Sequence, residues 1–369
     1  MTYREIETVN ELIDVLKKEP SLSYYAFQNL DFNEVETIAR GRTFANCLFL
    51  GCDIPASLMH GFEKSSVIFP KMDMPFNVYP SHLYTRDTLM EGYVRGRPET
   101  YELTPDKVIY DYYLDTGKEA VNIKDTLARR LHDHSITDAL YDFLALYDER
   151  KVVAIMGGHT MLRTNPDYLE MARVSKRLTE EGYLMISGGG PGAMEATHVG
   201  AYFAGKDSSH LEEAMDILCE APAYTDTLWL DKAFEVIHRY TPSPFHSVGI
   251  PTWLYGHEPP TPFASLIAKY FANSVREDGL LAVAKGGVIY APGSAGTIQE
   301  VFQDATQNHY LSFGYASPMV FFDSGYWQHN RPVYPLIKAM ADEEKYENMI
   351  LSLTDTAEEV IAEIRKFTS

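Results

Sequence analysis

Apolar and polar positions change rhythm along this chain near residue 150. In residues 1–20, Ile6, Val9, Leu12, Ile13 and Leu16 recur at helical spacing ahead of Lys17-Lys-Glu-Pro20, which predicts an amphipathic helix closed by proline. Residues 21–120 are rich in Tyr, Phe and Pro, and short apolar runs at 43–50 and 66–69 suggest strands. Between Phe44 and Asp53 there is a faint five-residue rhythm, reminiscent of a pentapeptide coil, although two units alone are too few to stack as a solenoid. A long helix is expected over 123–146.

From residue 152 onward apolar runs alternate with helical patterns. Strands are expected at 152–156, 183–186, 215–219, 247–250, 288–290 and 319–322. Helices are expected at 168–181, where Gly182 can take the left-handed cap, then through Ala204, over 262–281 and over 357–366. Apolar strands alternating with helices imply an α/β fold: a Rossmann-like doubly wound parallel sheet covered on both faces, with an additional amino-terminal α+β region.

Two glycine-rich turns stand on the ends of apolar runs. Ser187-Gly-Gly-Gly-Pro-Gly-Ala-Met-Glu195 follows Tyr183-Leu-Met-Ile186, and Ala291-Pro-Gly-Ser-Ala-Gly-Thr297 follows Val288-Ile-Tyr290 and leads to Gln299-Glu300. Each reads as strand, turn, helix. Such a turn lets an anion approach bare backbone, where unpaired N–H groups and the positive end of the helix dipole meet it. In open α/β sheets ligands bind beyond the carboxyl ends of strands, where both turns fall. One glycine cluster alone is equally a tight turn, and a carboxylate in a helix's first turns is often only a dipole partner. Two turns, with Glu195 and Glu300 just inside their helices, favour a site for an anionic small molecule. The dinucleotide fingerprint G-x-G-x-x-G is not in its usual place, since the opening strand ends in Gly157-Gly-His159, and neither turn carries Gly-Lys-Ser/Thr.

Charge narrows the partners. The 369 residues carry 32 Lys plus Arg against 52 Asp plus Glu, a net charge of −20. That disfavours nucleic acid and anionic membrane surfaces, which are held through clustered cations. Cys47, Cys52 and Cys219 lack zinc-ligand spacing and are too few for a disulfide framework. No cationic leader with an apolar stretch opens the sequence and no run is long and apolar enough to span a bilayer, so a cytoplasmic protein is expected. His159, His198, His246 and His257 form no H-x-x-x-H pair, and neither a metal nor a cofactor is expected.

The combination Gly157-Gly-His159, Tyr168, Ala172-Arg173, Gly188-Gly-Gly-Pro-Gly-Ala-Met-Glu-Ala196 and Pro292-Gly-Ser-Ala-Gly-Thr-Ile-Gln-Glu300 resembles the Lonely Guy superfamily, also labelled lysine decarboxylase-like. Within it, Glu258-Pro-Pro-Thr-Pro262 leading to Arg276 is similar to the bacterial pyrimidine and purine nucleotide 5′-monophosphate nucleosidases. The resemblance covers roughly residues 125–369. It implies hydrolysis of the N-glycosidic bond of an AMP-like, or cytokinin-type, nucleoside monophosphate, and a homo-oligomer, dimer or higher. It places Glu300 and Arg276 in catalysis. Gly157, Gly158, His159, Gly189, Gly190, Gly192 and Glu195 fall at the substrate, Glu195 accepting from ribose hydroxyls, and Gly293, Ser294, Gly296 and Thr297 at the phosphate. Ser294 stands where the family usually has a second glycine, and the interval from Arg276 to Pro292 is one residue longer than usual, which leaves Arg239 as a second candidate arginine. The expected division is 1–120, an accessory domain of open role, and 121–369, the nucleotide-binding domain. Residues 205–257 form an aromatic, proline-bearing insertion within it that would act as lid, base pocket or dimer packing. A nucleotide sensor without catalysis is the alternative reading. A pyridoxal-phosphate decarboxylase would need a cofactor lysine, and Lys285, in the lead-in to a strand, is not one.

Overall fold

The computed structural model describes residues 3–119 and 121–368. The chain forms two compact units, Met1–Leu83 with Leu114–Tyr141, and Tyr84–Tyr113 with Asp142–Ser369. Where the pattern suggests one cut near residue 120, the chain passes between the units at three places.

The smaller unit is built on short parallel strands: β1 (Arg4–Ile6), β2 (Ser21–Ser23), β3 (Tyr25–Gln28), β4 (Thr43–Ala45), β5 (Leu48–Leu50) and β6 (Val67–Phe69). Strand β1 precedes the expected first helix, which runs Val9–Lys18 behind a Thr8/Glu11 capping box. Strands β2 and β3 pair with β4 and β5 at an offset of 22 residues, Leu22 on Phe44 and Phe27 on Phe49, and β6 adds Ile68 beside Phe49. The five-residue rhythm is therefore one layer of a stacked parallel coil. Phe44 and Phe49, like Cys47 and Cys52, are buried inside it. The coil is completed by segments outside the motif: Phe27 stacks on Phe49 at 5.0 Å and Phe62 on Phe49 at 4.5 Å.

The larger unit holds seven parallel strands: β7 (Val152–Met156), β8 (Leu184–Ser187), β9 (Ser247–Gly249), β10 (Leu266–Ile267), β11 (Gly287–Tyr290), β12 (Pro318–Phe322) and β13 (Ile350–Thr354). Their order is β10-β9-β8-β7-β11-β12-β13, so the winding reverses at β7, between β8 and β11. Strands β7, β8, β9, β11 and β12 are buried throughout, which is why they read as continuous apolar runs. The doubly wound α/β fold is thus observed. No helix among the described residues is long and apolar enough to cross a membrane.

Two expected elements differ. Residues 215–218 belong to the helix Ser208–Leu218, with Cys219 at its C-terminal cap, because Leu211, Ala214, Met215 and Leu218 line one buried helical face. Residues 262–281 are not one helix: Leu266–Ile267 adds to the sheet beside β9 and bridges to Tyr84, and the helix begins only at Asn273 and runs to Val283. The stretch 205–257 contributes the helices Ser208–Leu218 and Trp229–Arg239 and also β9, a strand of the sheet itself.

Candidate functional site

The turns after β7, β8 and β11 converge at the point where the winding reverses. In the turn after β11, a Cβ at Gly293 would collide with Thr297 Oγ1 and lie 3.0 Å from the Gly158 nitrogen, so only glycine fits. The Gly158 N–H donates to the Pro292 carbonyl at 3.0 Å, tying the two turns together. Tyr326 donates its hydroxyl to the Gly293 carbonyl, and Trp327 Nε1 donates to the Tyr290 carbonyl at 3.1 Å. Beyond the turn, the helix Ala295–His309 starts with Ser294, Ala295 and Gly296 exposed and Thr297 buried. Its first N–H groups have no side-chain cap, so this N-terminus can receive an anion.

The turn after β8 is held from below. Gly192, at φ +70°, begins the helix Ala193–Tyr202, and a Cβ there would collide with the Gly158 carbonyl. Ser187 Oγ accepts from the Gly189 N–H at 3.1 Å and meets His198 Nε2 at 2.8 Å, while His198 Nδ1 meets Ser247 Oγ at 2.9 Å. Burial pushes His198 down to about 3, so it is a neutral link between β8 and β9.

Glu195 lies in this underside. Its carboxylate receives Arg163 Nε at 2.9 Å, Arg163 Nη2 at 2.6 Å and the Tyr168 hydroxyl at 2.8 Å, and all three residues are buried. Arg163 also donates to the carbonyls of Ala221 and Trp229 and lies over the Trp229 ring. The sequence signal for Glu195, a carboxylate inside a glycine turn's helix, marks here the acceptor of a buried arginine.

Glu300 and Arg276 do meet. Arg276 Nη1 stands 3.8 Å from Glu300 Oε1. The guanidinium is oriented by Asn273 Oδ1, at 3.0 Å from Nη2 and 3.3 Å from Nε, and by Glu277, which in turn accepts from Gln299 at 3.0 Å. Burial pushes the Glu300 carboxyl up to about 7, against the opposing pull of Arg276. Arg239, the second candidate, pairs instead with Glu213 at 3.2 Å on an exposed surface.

One residue without a role in the sequence reading joins them. Glu258 Oε1 lies 3.8 Å from His159 Nε2 and 3.7 Å from His257 Nε2, and its side chain is 14% exposed. Thr261 N–H donates to the Gly189 carbonyl at 2.9 Å and fixes the Glu258 loop on the first turn. In the sequence, the prolines of Glu258-Pro-Pro-Thr-Pro262 mark this loop as rigid. Glu258 and Glu300 both feel the charge of Arg276, which also lines the first turn beside Gly188.

No protein-family model matches this sequence, and no curated protein matches it. Among solved structures the chain is similar to the molybdenum cofactor binding protein of Rippkaea orientalis, with 13% identity, a TM-score of 0.39 and coverage of 59% of this chain and 97% of that one. It is similar to the structural-genomics target TM1055, with 17% identity, a TM-score of 0.38 and coverage of 58% and 98%. It is also similar to the molybdenum cofactor carrier protein of Chlamydomonas reinhardtii, with 12% identity, a TM-score of 0.36 and coverage of 59% and 97%.

Proposed function

We propose that this protein hydrolyses the N-glycosidic bond of nucleoside 5′-monophosphates to free base and ribose 5-phosphate. What supports the reading is the pairing of Glu300 with Arg276 at 3.8 Å, within two turns of an open helix N-terminus. The phosphate binds at Gly293, Ser294, Gly296 and Thr297, against N–H groups and the helix dipole. Gly157, Gly158, Gly189, Gly190 and Gly192 let the ribose phosphate lie close to backbone. Departure of the base leaves cationic character on the ribose, and Glu300, as a carboxylate, offsets that charge and orients the attacking water. Arg276 holds Glu300 and the substrate with its planar fork. The ribose contact expected of Glu195 is not part of the proposal, because Arg163 and Tyr168 already occupy its oxygens. The reaction uses neither metal nor cofactor, and the acting form is a homo-oligomer.

The test is to incubate the purified protein with a panel of nucleoside 5′-monophosphates and the matched nucleosides and to chromatograph for free base. Release from monophosphates but not from nucleosides is expected. Binding without release would overturn the enzyme reading in favour of a nucleotide sensor.

A further inference from the structure

Hydrolysis of a nucleotide has two demands, and the pair Arg276–Glu300 meets one of them. The other is the leaving group: a base departs poorly as an anion and needs a proton as the bond to C1′ breaks. A donor for that proton must be a carboxyl or similar acid, face the cleft, and have a route to solvent for reloading. Glu258 has all three properties. It is mostly buried and lies against the first glycine turn, with Oε2 3.5 Å from the position a Cβ at Gly190 would take, the Met194 side chain packing on the same spot. His159 Nε2 and His257 Nε2 stand 3.8 and 3.7 Å from its other oxygen, and both side chains reach solvent.

We propose that Glu258 is the general acid of this reaction, protonating the departing base while His159 and His257 relay its replacement proton from solvent; the assignment rests on the nucleosidase reading of the site. The electron pair of the C1′–N bond goes to the base, and a base nitrogen takes the Glu258 proton, so the base leaves neutral. Water adds to C1′ and gives a proton to Glu300. Transfer from Glu300 back to Glu258 through solvent and either imidazole restores both groups, and the sum is nucleotide plus water to base plus ribose 5-phosphate. Burial, the largest influence on Glu258, pushes its carboxyl up and keeps the proton available, while His159, His257 and Arg276 pull the other way. An acid and a base thus stand in the charge field of the same Arg276.

The decisive experiment compares two leaving groups in the same preparations. One is the monophosphate that the wild-type protein cleaves best; the other is ribose 5-phosphate carrying 4-nitrophenol at C1′, which departs without a proton. Glu258→Gln is expected to lose about 10²- to 10⁴-fold in kcat on the nucleotide and only a few-fold on the nitrophenyl compound. The alkaline limb of its kcat/KM profile on the nucleotide disappears. Equal losses on both compounds, or no loss on the nucleotide, would overturn the assignment. Should Glu258→Gln fail to fold, Glu258→Asp, which keeps an acid but sets it back by one methylene, is expected to show the same imbalance between the two substrates. A wild-type protein that releases base from no monophosphate would instead sink the nucleosidase reading itself.

Discussion

At the scale of single residues, the site turns on how burial and one arginine treat two carboxyls. Glu300 sits on the second helical turn beyond an exposed N-terminus, yet burial outweighs both that dipole and Arg276 and leaves its carboxyl near 7. Only the carboxylate can take a proton from water or face a cationic ribose. As pH rises through about 7 Glu300 loses its proton, so the acid limb of kcat/KM on the best monophosphate is expected to climb between pH 6 and 8, ahead of the alkaline limb on which Glu258 loses its proton. A flat profile across that window would remove Glu300 from the chemistry. Glu300→Gln fixes the neutral form with little change of shape. It is expected to lower kcat by about 10²- to 10⁴-fold while the affinity for AMP, read by equilibrium titration, stays within a few-fold. Weak binding with normal turnover of bound substrate would contradict the role. Glu195 shows the contrasting outcome for the same residue type. Its neighbours supply three hydrogen bonds, two of them from a guanidinium, which stabilise the carboxylate in its buried position.

At the scale of elements, Arg163 links the loop after β7 to the helix Ala193–Tyr202 and to the start of the helix Trp229–Arg239. Arg163→Met leaves the Glu195 carboxylate buried without its cation, and a loss of about 3–5 kcal/mol is expected from the midpoint of denaturant unfolding. KM for monophosphates is expected to hold in the protein that remains folded. Unchanged stability with a raised KM would return Glu195 to the ribose. Ser294 is a milder case. It precedes the helix Ala295–His309 without capping it, so Ser294→Gly is expected to cost only a few tenths of a kcal/mol and to spare phosphate affinity. A large fall in affinity, measured with inorganic phosphate as competitor, would make the hydroxyl a ligand. These elements also mark how far the sequence can be read. Strands such as Val152–Met156 were legible because burial on both faces demands an unbroken apolar run. Met215-Asp-Ile-Leu-Cys219 has the same look but lies on a helix, since a short apolar run carries no usable period. Strand β10, two residues long, had no pattern to find. The 22-residue offset of the small coil was hidden because left-handed corners fall at Tyr24 and Asn46 rather than at glycines. The glycine turns and the pair Arg276–Glu300 were visible as motifs. Glu258 stood in the sequence within the motif Glu258-Pro-Pro-Thr-Pro262 but without a role, because its meaning comes from the fold laying its loop on Gly189.

At the scale of the whole molecule, the division of the chain decides what can be removed from it. Residues 84–113 belong with the sheet that carries the site, and they are bound to it by buried charge. Asp106 accepts from Lys269 Nζ at 2.5 Å and from the Tyr101 hydroxyl at 2.9 Å, and Lys269 lies over the Trp253 ring. Tyr93 donates to Asp231 at 2.5 Å, and the Gly96 N–H reaches the same carboxylate at 3.1 Å. A chain begun at residue 121 would keep 121–141, which pack with the other unit, and would lose 84–113. It would strand Lys269 as a buried cation and leave Asp231 without its donors, a heavier penalty than the loss of an independent accessory domain. Such a chain is expected to unfold without a cooperative transition, and its loss of activity would then say nothing about regulation. The single change Asp106→Asn isolates the cause within the full-length protein. It removes the counter-charge while keeping the shape, and is expected to cost about 3–5 kcal/mol, the scale for breaking one side of a buried pair. Calorimetry of the three proteins checks this. If the chain begun at 121 melts as cooperatively and at the same temperature as the full protein, residues 84–113 are dispensable and a cut near residue 120 is the true domain boundary.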